Sequence, residues 1–146
     1  QYLRDARITT IYEGTTGIQA NDLIGRKVAF EQGATASAVI AQMRGAADEL
    51  QQHPQLAAMR AALDAGVDAL ETATAWLVQT YPADPAAAAA SAVPYLKLFG
   101  TVAGGWQMAR AARIAQQRLA AGGGDAAFCR AKIASALFYA AHILPQ

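Results

Sequence analysis

The sequence predicts an all-α protein, an antiparallel up-and-down bundle of four to five long helices. Three observations carry that prediction. Apolar residues recur at steps of three and four along most of the chain after Ile18. No stretch of useful length alternates apolar and polar residues as a strand would, and no short period repeats. Helix breakers at Gln32-Gly33, His53-Pro54, Tyr81-Pro82 and Gly122 to Gly124 cut the chain into helix-sized pieces.

The first element is a short one. Arg4 to Ile8 favours a helical turn, which Thr9, Thr10, Ile11 and Tyr12 weaken because β-branched and aromatic side chains lose freedom in a helix. Glu13 follows, then Gly14, a residue free to take a left-handed backbone. Thr16 reads as an N-cap with Gln19 three residues on, the spacing of a capping box. A carboxylate just before a helix start feels the positive end of the helix dipole. The amides exposed there suit an anionic or polar ligand group. Two readings of Glu13 therefore stand together: a complement to the dipole, or a reactive base.

The helix from Ile18 places Ile24 and Val28 on one face and stops at Gln32-Gly33. The next carries Ala36, Ile40, Met43, Ala47 and Leu50 at steps of three and four, and ends before Pro54. Pro54 suits the first turn of the third helix, whose stripe is Leu56, Met59, Leu63, Val67, Leu70 and Leu77. Asp64, Asp68 and Glu71 lie on another face and read as a solvent edge rather than a metal site. Trp76 and Tyr81 are expected to fill a gap between helices.

Asp84-Pro85 restarts the chain as N-cap and first helical residue, and the run Ala86 to Ala90 is helix propensity rather than linker. Pro94 marks a kink or a new start. Tyr95, Phe99, Val102 and Trp106 continue the pattern. Gly104-Gly105 inside it costs about 1 kcal/mol per glycine, so close packing against another backbone is expected to compensate. Arg110, Arg113 and Arg118 form a basic edge late in this helix. Gly122 to Gly124 stop it, and Asp125 caps the last helix, with Cys129, Ile133, Leu137, Ala140 and Leu144 as its stripe and Phe128, Phe138 and Tyr139 adding bulk.

Composition narrows the function classes. The chain has 146 residues, enough for one domain with a core. Hydrophobic residues make up 54% and charged ones only 16%, which is low for a free-standing surface and points to faces covered by another domain or subunit. A net charge of +1 supplies no electrostatic footprint for nucleic acid or an anionic membrane. One cysteine, Cys129, permits no intrachain disulfide; it reads as a small core residue and agrees with an expected cytoplasmic location. No stretch is continuously apolar over a membrane-spanning length. His53 and His142 read as surface or helix-end residues. Arg26 and Lys27 read as a solvated face, and the glycines from Gly100 to Gly105 lack the strand and the following lysine of a phosphate loop.

The string IYEGTTGIQ, preceded by YLRDARI, resembles the C-terminal active-site segment of the acyl-CoA dehydrogenase family. There an arginine-aspartate-alanine turn leads into a tyrosine-glutamate-glycine-threonine loop and then a long helix. The match is dense over roughly the first 27 residues and agrees in charged, aromatic and glycine positions together. From about Gly33 onward, the strings LKLFGTVAGGW and FYAAHILP resemble the extra helical C-terminal region of a bacterial subgroup of that family. The resemblance implies two parts: residues 1–32 as the end of the catalytic segment, and 33–146 as an additional helical bundle.

It also implies roles. Glu13 would be the base that removes the acyl α-proton, and Gly14 would lie against the acyl-CoA thioester. Thr15, Thr16 and Gly17 would lie against FAD. The implied substrate is an acyl-CoA, the electron acceptor an electron-transfer flavoprotein, and the assembly a homo-oligomer, with no metal. Because the chain begins inside a motif, it reads as the tail of a longer polypeptide, inactive by itself and without tight FAD binding. The alternative reading is a non-catalytic helical packing or oligomerisation domain.

Overall fold

A computed structural model describes residues 1–11 and 14–146. Among them there are seven α-helices and no strand. These are α1 (Tyr2–Ala6), α2 (Thr16–Asp22), α3 (Ala34–Glu49), α4 (Ala57–Thr80), α5 (Pro85–Ala90), α6 (Ala92–Ala120) and α7 (Ala126–His142). A 3-10 turn over Arg7–Thr10 extends α1, and a π-helical stretch over Leu23–Ala29 extends α2. Counting α2 with its π extension, five helices are long and form an antiparallel bundle, the predicted class. The longest, α6, has 29 residues and so spans roughly 43 Å.

Local chemistry explains most boundaries. Gly33 (φ +80°) takes the left-handed conformation before α3. His53 sits extended (φ −123°, ψ 81°) before Pro54, as the proline ring requires. Pro54 opens a 3-10 turn, Pro54–Leu56, one turn ahead of α4 rather than α4 itself. Asp84 accepts a hydrogen bond from the Ala87 amide at 2.9 Å, and Asp125 accepts from the Ala127 and Phe128 amides at 2.9 and 3.1 Å. Both are N-caps as expected. Ser91 breaks the alanine run, and Pro94 then lies in the first turn of α6, where its missing N–H costs no intrahelical bond.

The core runs along α3, α4 and α6 and is closed by α2 and α7. The predicted stripes of α3 and α4 are buried throughout: Met43, Ala47, Leu56, Met59, Leu63, Val67 and Leu70 are all 0% exposed. One buried position on α4 is polar. Thr74 donates to the Leu70 carbonyl at 2.7 Å and, its own proton thus used, accepts from the Tyr95 hydroxyl at 2.8 Å. This bond ties α4 to α6 inside the core.

Three expectations are corrected. Trp76 does not fill a gap between helices; it is 45% exposed, whereas Tyr81 does pack inward. Gly104 and Gly105 are not spaces for another backbone. They receive side chains: the Tyr139 hydroxyl at Gly104, and Leu144 at Gly105, where an added Cβ would lie 3.1 Å from both leucine methyls. Phe128 and Phe138, expected as bulk, are 55% and 59% exposed on the outer side of α7.

Candidate functional site

The segment with the richest chemistry lies at the entrance to α2. Glu13, the expected base, and Tyr12 lie outside the described residues. Gly14 is exposed with φ +79°, a conformation that glycine adopts without cost and an L-side chain does not. Among the described residues, a Cβ added there would meet nothing within 4 Å. Thr15 is half-buried, while Thr16 and Gly17 are exposed, and among the described residues a Cβ on Gly17 would also meet nothing within 4 Å.

The cap of α2 departs from expectation. Thr15, not Thr16, is the N-cap, and its side chain makes no capping hydrogen bond. The Gln19 amide instead donates to the Thr15 carbonyl at 2.9 Å, the ordinary helical bond of a first turn. The Thr16–Gln19 capping box is therefore not formed. The reason is geometric: with Gly14 left-handed, the chain enters the helix one residue early. Thr15 and Thr16 keep their hydroxyls free of the capping role.

The surroundings of this segment are apolar and uncovered. Every residue from Gln1 to Ile11 is exposed, including Tyr2 at 93% and Ile11 at 79%. Ile18 at 69% and Phe30 at 82% add to the uncovered surface along α2 and its extension. Isolated exposed apolar residues are ordinary, but this many along one segment mark a surface that suits a cover. On the far side of α2, Ala20, Ile24 and Val28 are buried against the bundle. One face of the helix is thus anchored and the other, with Thr16, Gly17 and Ile18, faces outward. For a flavin, the fit rests on Gly14 and Gly17, which carry no side chain, and on the hydroxyls of Thr15 and Thr16 between them. The described residues do not enclose it.

Several of the other charged groups are engaged in structural pairs. Asp64, Asp68 and Glu71, the three carboxylates at helical spacing, each meet an arginine. Arg44 reaches Asp68 and Glu71 at 2.8 Å each, and Arg60 lies 3.6 Å from Asp64. The hydrogen bonds that Arg44 donates to Asp68 and then to Glu71 hold its guanidinium above its ordinary pKa. Arg26 and Lys27 both meet Asp22, at 2.9 and 3.6 Å, and Arg113 meets Glu49 at 3.0 Å. Arg110 covers the Trp106 ring at 5.5 Å. Cys129 is buried, and His142 stacks near Phe138 with ring centres 4.7 Å apart.

A groove of about 470 Å³ separates α3 from α4, lined in part by Ser37, Arg44, Glu71, Thr74 and Val78. Its charges are already paired within the wall. Sequence reasoning missed two features beside α2: the π turn itself, and the contact of Tyr81 with Gly25. A glycine inside an otherwise helical pattern was the available signal for the second.

Comparison with known proteins bears on the same segment. The family model described as acetyl-CoA dehydrogenase C-terminal like matches residues 29–146. A 3-methylmercaptopropionyl-CoA dehydrogenase of Ruegeria pomeroyi is 46% identical, in an alignment that covers 100% of this chain and 25% of that protein. The broad-specificity linear acyl-CoA dehydrogenase FadE5 of Mycobacterium tuberculosis is 32% identical, over 99% of this chain and 25% of that protein. The chain spans about a quarter of the length of these relatives. The first alignment covers every residue of the chain, Glu13 included.

Proposed function

Because the chain belongs to the acyl-CoA dehydrogenase family, we propose that it serves as the C-terminal part of an FAD-dependent acyl-CoA dehydrogenase that oxidises an acyl-CoA to a 2-enoyl-CoA. The observation that carries this reading is the match of 100% and 99% of the chain to a quarter of two proteins named as acyl-CoA dehydrogenases. The two glycines support it, because among the described residues a Cβ on Gly14 or Gly17 would meet nothing within 4 Å.

In this reading Glu13 takes the proton from the acyl α-carbon. That proton is weakly acidic until the thioester carbonyl is polarised, and a carboxylate shielded from water gains basicity toward it. The electron pair left on the α-carbon forms the new double bond as the β-hydrogen departs. The chemistry supplied by bound FAD is acceptance of that hydrogen with its electron pair. Gly14 lets the thioester lie against the backbone. Thr15, Thr16 and Gly17 form the wall on the flavin side. The remaining walls belong to the rest of such an enzyme, so the chain alone is inactive and does not bind FAD tightly. An electron-transfer flavoprotein is the proposed acceptor, and the cytoplasm the proposed location.

Residues 1–32 complete the catalytic part in this proposal, and 33–146 form the added bundle. A second reading concerns the bundle alone: a packing or oligomerisation module within a homo-oligomer. The exposed Phe128, Phe138 and Trp76 favour it. The two are compatible.

Replacing Glu13→Gln in the full-length enzyme tests the first reading. Flavin reduction by acyl-CoA is expected to slow by about 10²–10⁴-fold, the usual contribution of a positioned base. Near-normal reduction would refute the assignment. For the chain by itself, titration with FAD is expected to show no tight binding, and size-exclusion chromatography to show self-association.

A further inference from the structure

The helix that carries Thr15 to Gly17 has an unusual middle. Over Leu23–Ala29 its turns widen to the π form: the Phe30 amide donates five residues back to the Gly25 carbonyl at 3.1 Å. The helix then closes with the ordinary left-handed cap: Gln32 (φ +52°) donates to the Ala29 carbonyl at 3.1 Å and Gly33 to the Val28 carbonyl at 2.8 Å. Turns of the π form are uncommon and recur near functional sites. Gly25 lies inside this stretch, so a widened turn and a missing side chain together leave a notch. The Tyr81 hydroxyl fills it. A Cβ placed on Gly25 would lie 2.7 Å from the Tyr81 Oη and 3.4 Å from its Cζ. Tyr81 comes from beyond the end of α4, far along the chain, and is half-buried against the core.

The notch sits ten residues from Thr15, roughly 15 Å along a helix. Ala20, Ile24 and Val28 hold the helix to the bundle, where α2 and its extension pack on α3, α4 and α6. A ring seated in the notch resists rotation of the helix directly. From this juxtaposition we infer that Tyr81 is a positioning residue: seated against Gly25, it sets the rotation at which α2 presents Thr15, Thr16 and Gly17. The inference about rotation stands on the fold alone; its consequence for catalysis rests on the function proposed above. A turn of the helix by a fraction of a residue moves the Thr15–Gly17 wall by about an ångström. In a preorganised site a displacement of that size can cost about a hundredfold in rate.

The test is a size exchange with two readouts. Gly25→Ala forces the notch and the phenol apart. Adding Tyr81→Phe removes the colliding oxygen and leaves Cζ, at 3.4 Å, as the nearest atom. In the chain itself, Gly25→Ala is expected to shift the amide resonances of Thr15, Thr16 and Gly17, and the double variant to return them. In the full-length enzyme, Gly25→Ala is expected to lower kcat for flavin reduction by about tenfold or more with a far smaller change in KM, and the double variant to restore it. A purely structural role would move the melting temperature without this split or this rescue.

If the resonances move and return but the rate does not follow, the positioning stands and the placement of the flavin at Thr15–Gly17 is wrong. Unmoved resonances in Gly25→Ala, or no rescue by Tyr81→Phe, overturn the inference. Should Gly25→Ala fail to fold, Tyr81→Ala empties the notch and leaves Gly25 in place. Broadened or doubled resonances at Thr15 to Gly17 are then expected, and sharp, unshifted ones overturn the inference.

Discussion

Thr74 and Tyr95 form the one hydrogen bond between side chains that lies inside the core among the described residues. The two partners are not equivalent. Thr74→Val keeps the shape but leaves the Tyr95 hydroxyl buried without its acceptor, a loss of about 1–3 kcal/mol. Tyr95→Phe removes that hydroxyl, while Thr74 still donates to Leu70. Its expected cost is nearer ~1 kcal/mol. Urea unfolding of both variants checks the order, and equal costs would contradict it. Burial raises the pKa of Tyr95 above its ordinary value and also raises that of Tyr139. The folded state therefore holds these protons more tightly than the unfolded chain. Their contribution is complete below the unfolded tyrosine value of about 10 and is lost as pH rises through the higher folded values. Stability is expected to fall above about pH 10, less steeply in Tyr95→Phe.

At the scale of the element, α6 carries glycines of opposite meaning. Gly100 is exposed and a Cβ there would meet nothing within 4 Å. Gly100→Ala is expected to stabilise by about 0.5–1 kcal/mol through helix propensity alone. Gly104 lies one turn on, where the Tyr139 hydroxyl presses against it while donating to the Thr101 carbonyl at 2.9 Å. That bond prevents the ring from swinging aside, so Gly104→Ala is expected to destabilise despite the better propensity. Thermal melts of the pair should shift in opposite directions. Leu144 closes the same face, lying against Gly105 on α6 and Gly66 on α4. Leu144→Ala is expected to cost about 2–5 kcal/mol, because the notch on both helices would be left empty.

For the whole molecule, the boundary between what is packed and what is open falls inside α2. Nothing in Gln1 to Ile11 is buried, whereas Ala20, Ile24 and Val28 are. Deleting residues 1–11 is therefore expected to leave the melting temperature of the chain within a few degrees, since about 1 kcal/mol corresponds to only several degrees in a domain of this size. A drop much larger than that would show that the segment packs on the bundle in solution. The same deletion in the full-length enzyme is expected to slow flavin reduction strongly, because it removes the segment that leads directly into Glu13 and the proposed site.

The sequence by itself determined the helices, their core stripes and most of their ends. The steps of three and four in α3 and α4, the caps at Asp84 and Asp125 and the stop at Gly33 all depend on neighbours within a turn, and such signals are local. It also carried, as an ordered string, the segment on which the proposed site rests. Only the tertiary structure decided which long-range partners meet: Arg44 with Asp68 and Glu71, Arg113 with Glu49, Thr74 with Tyr95, Tyr81 with Gly25, Tyr139 with Gly104. It also decided that Trp76 faces outward while Tyr81 faces in, and that Thr15 rather than Thr16 caps α2. Periodicity names the face a residue occupies, but the rotation and crossing of two packed helices determine what that face touches.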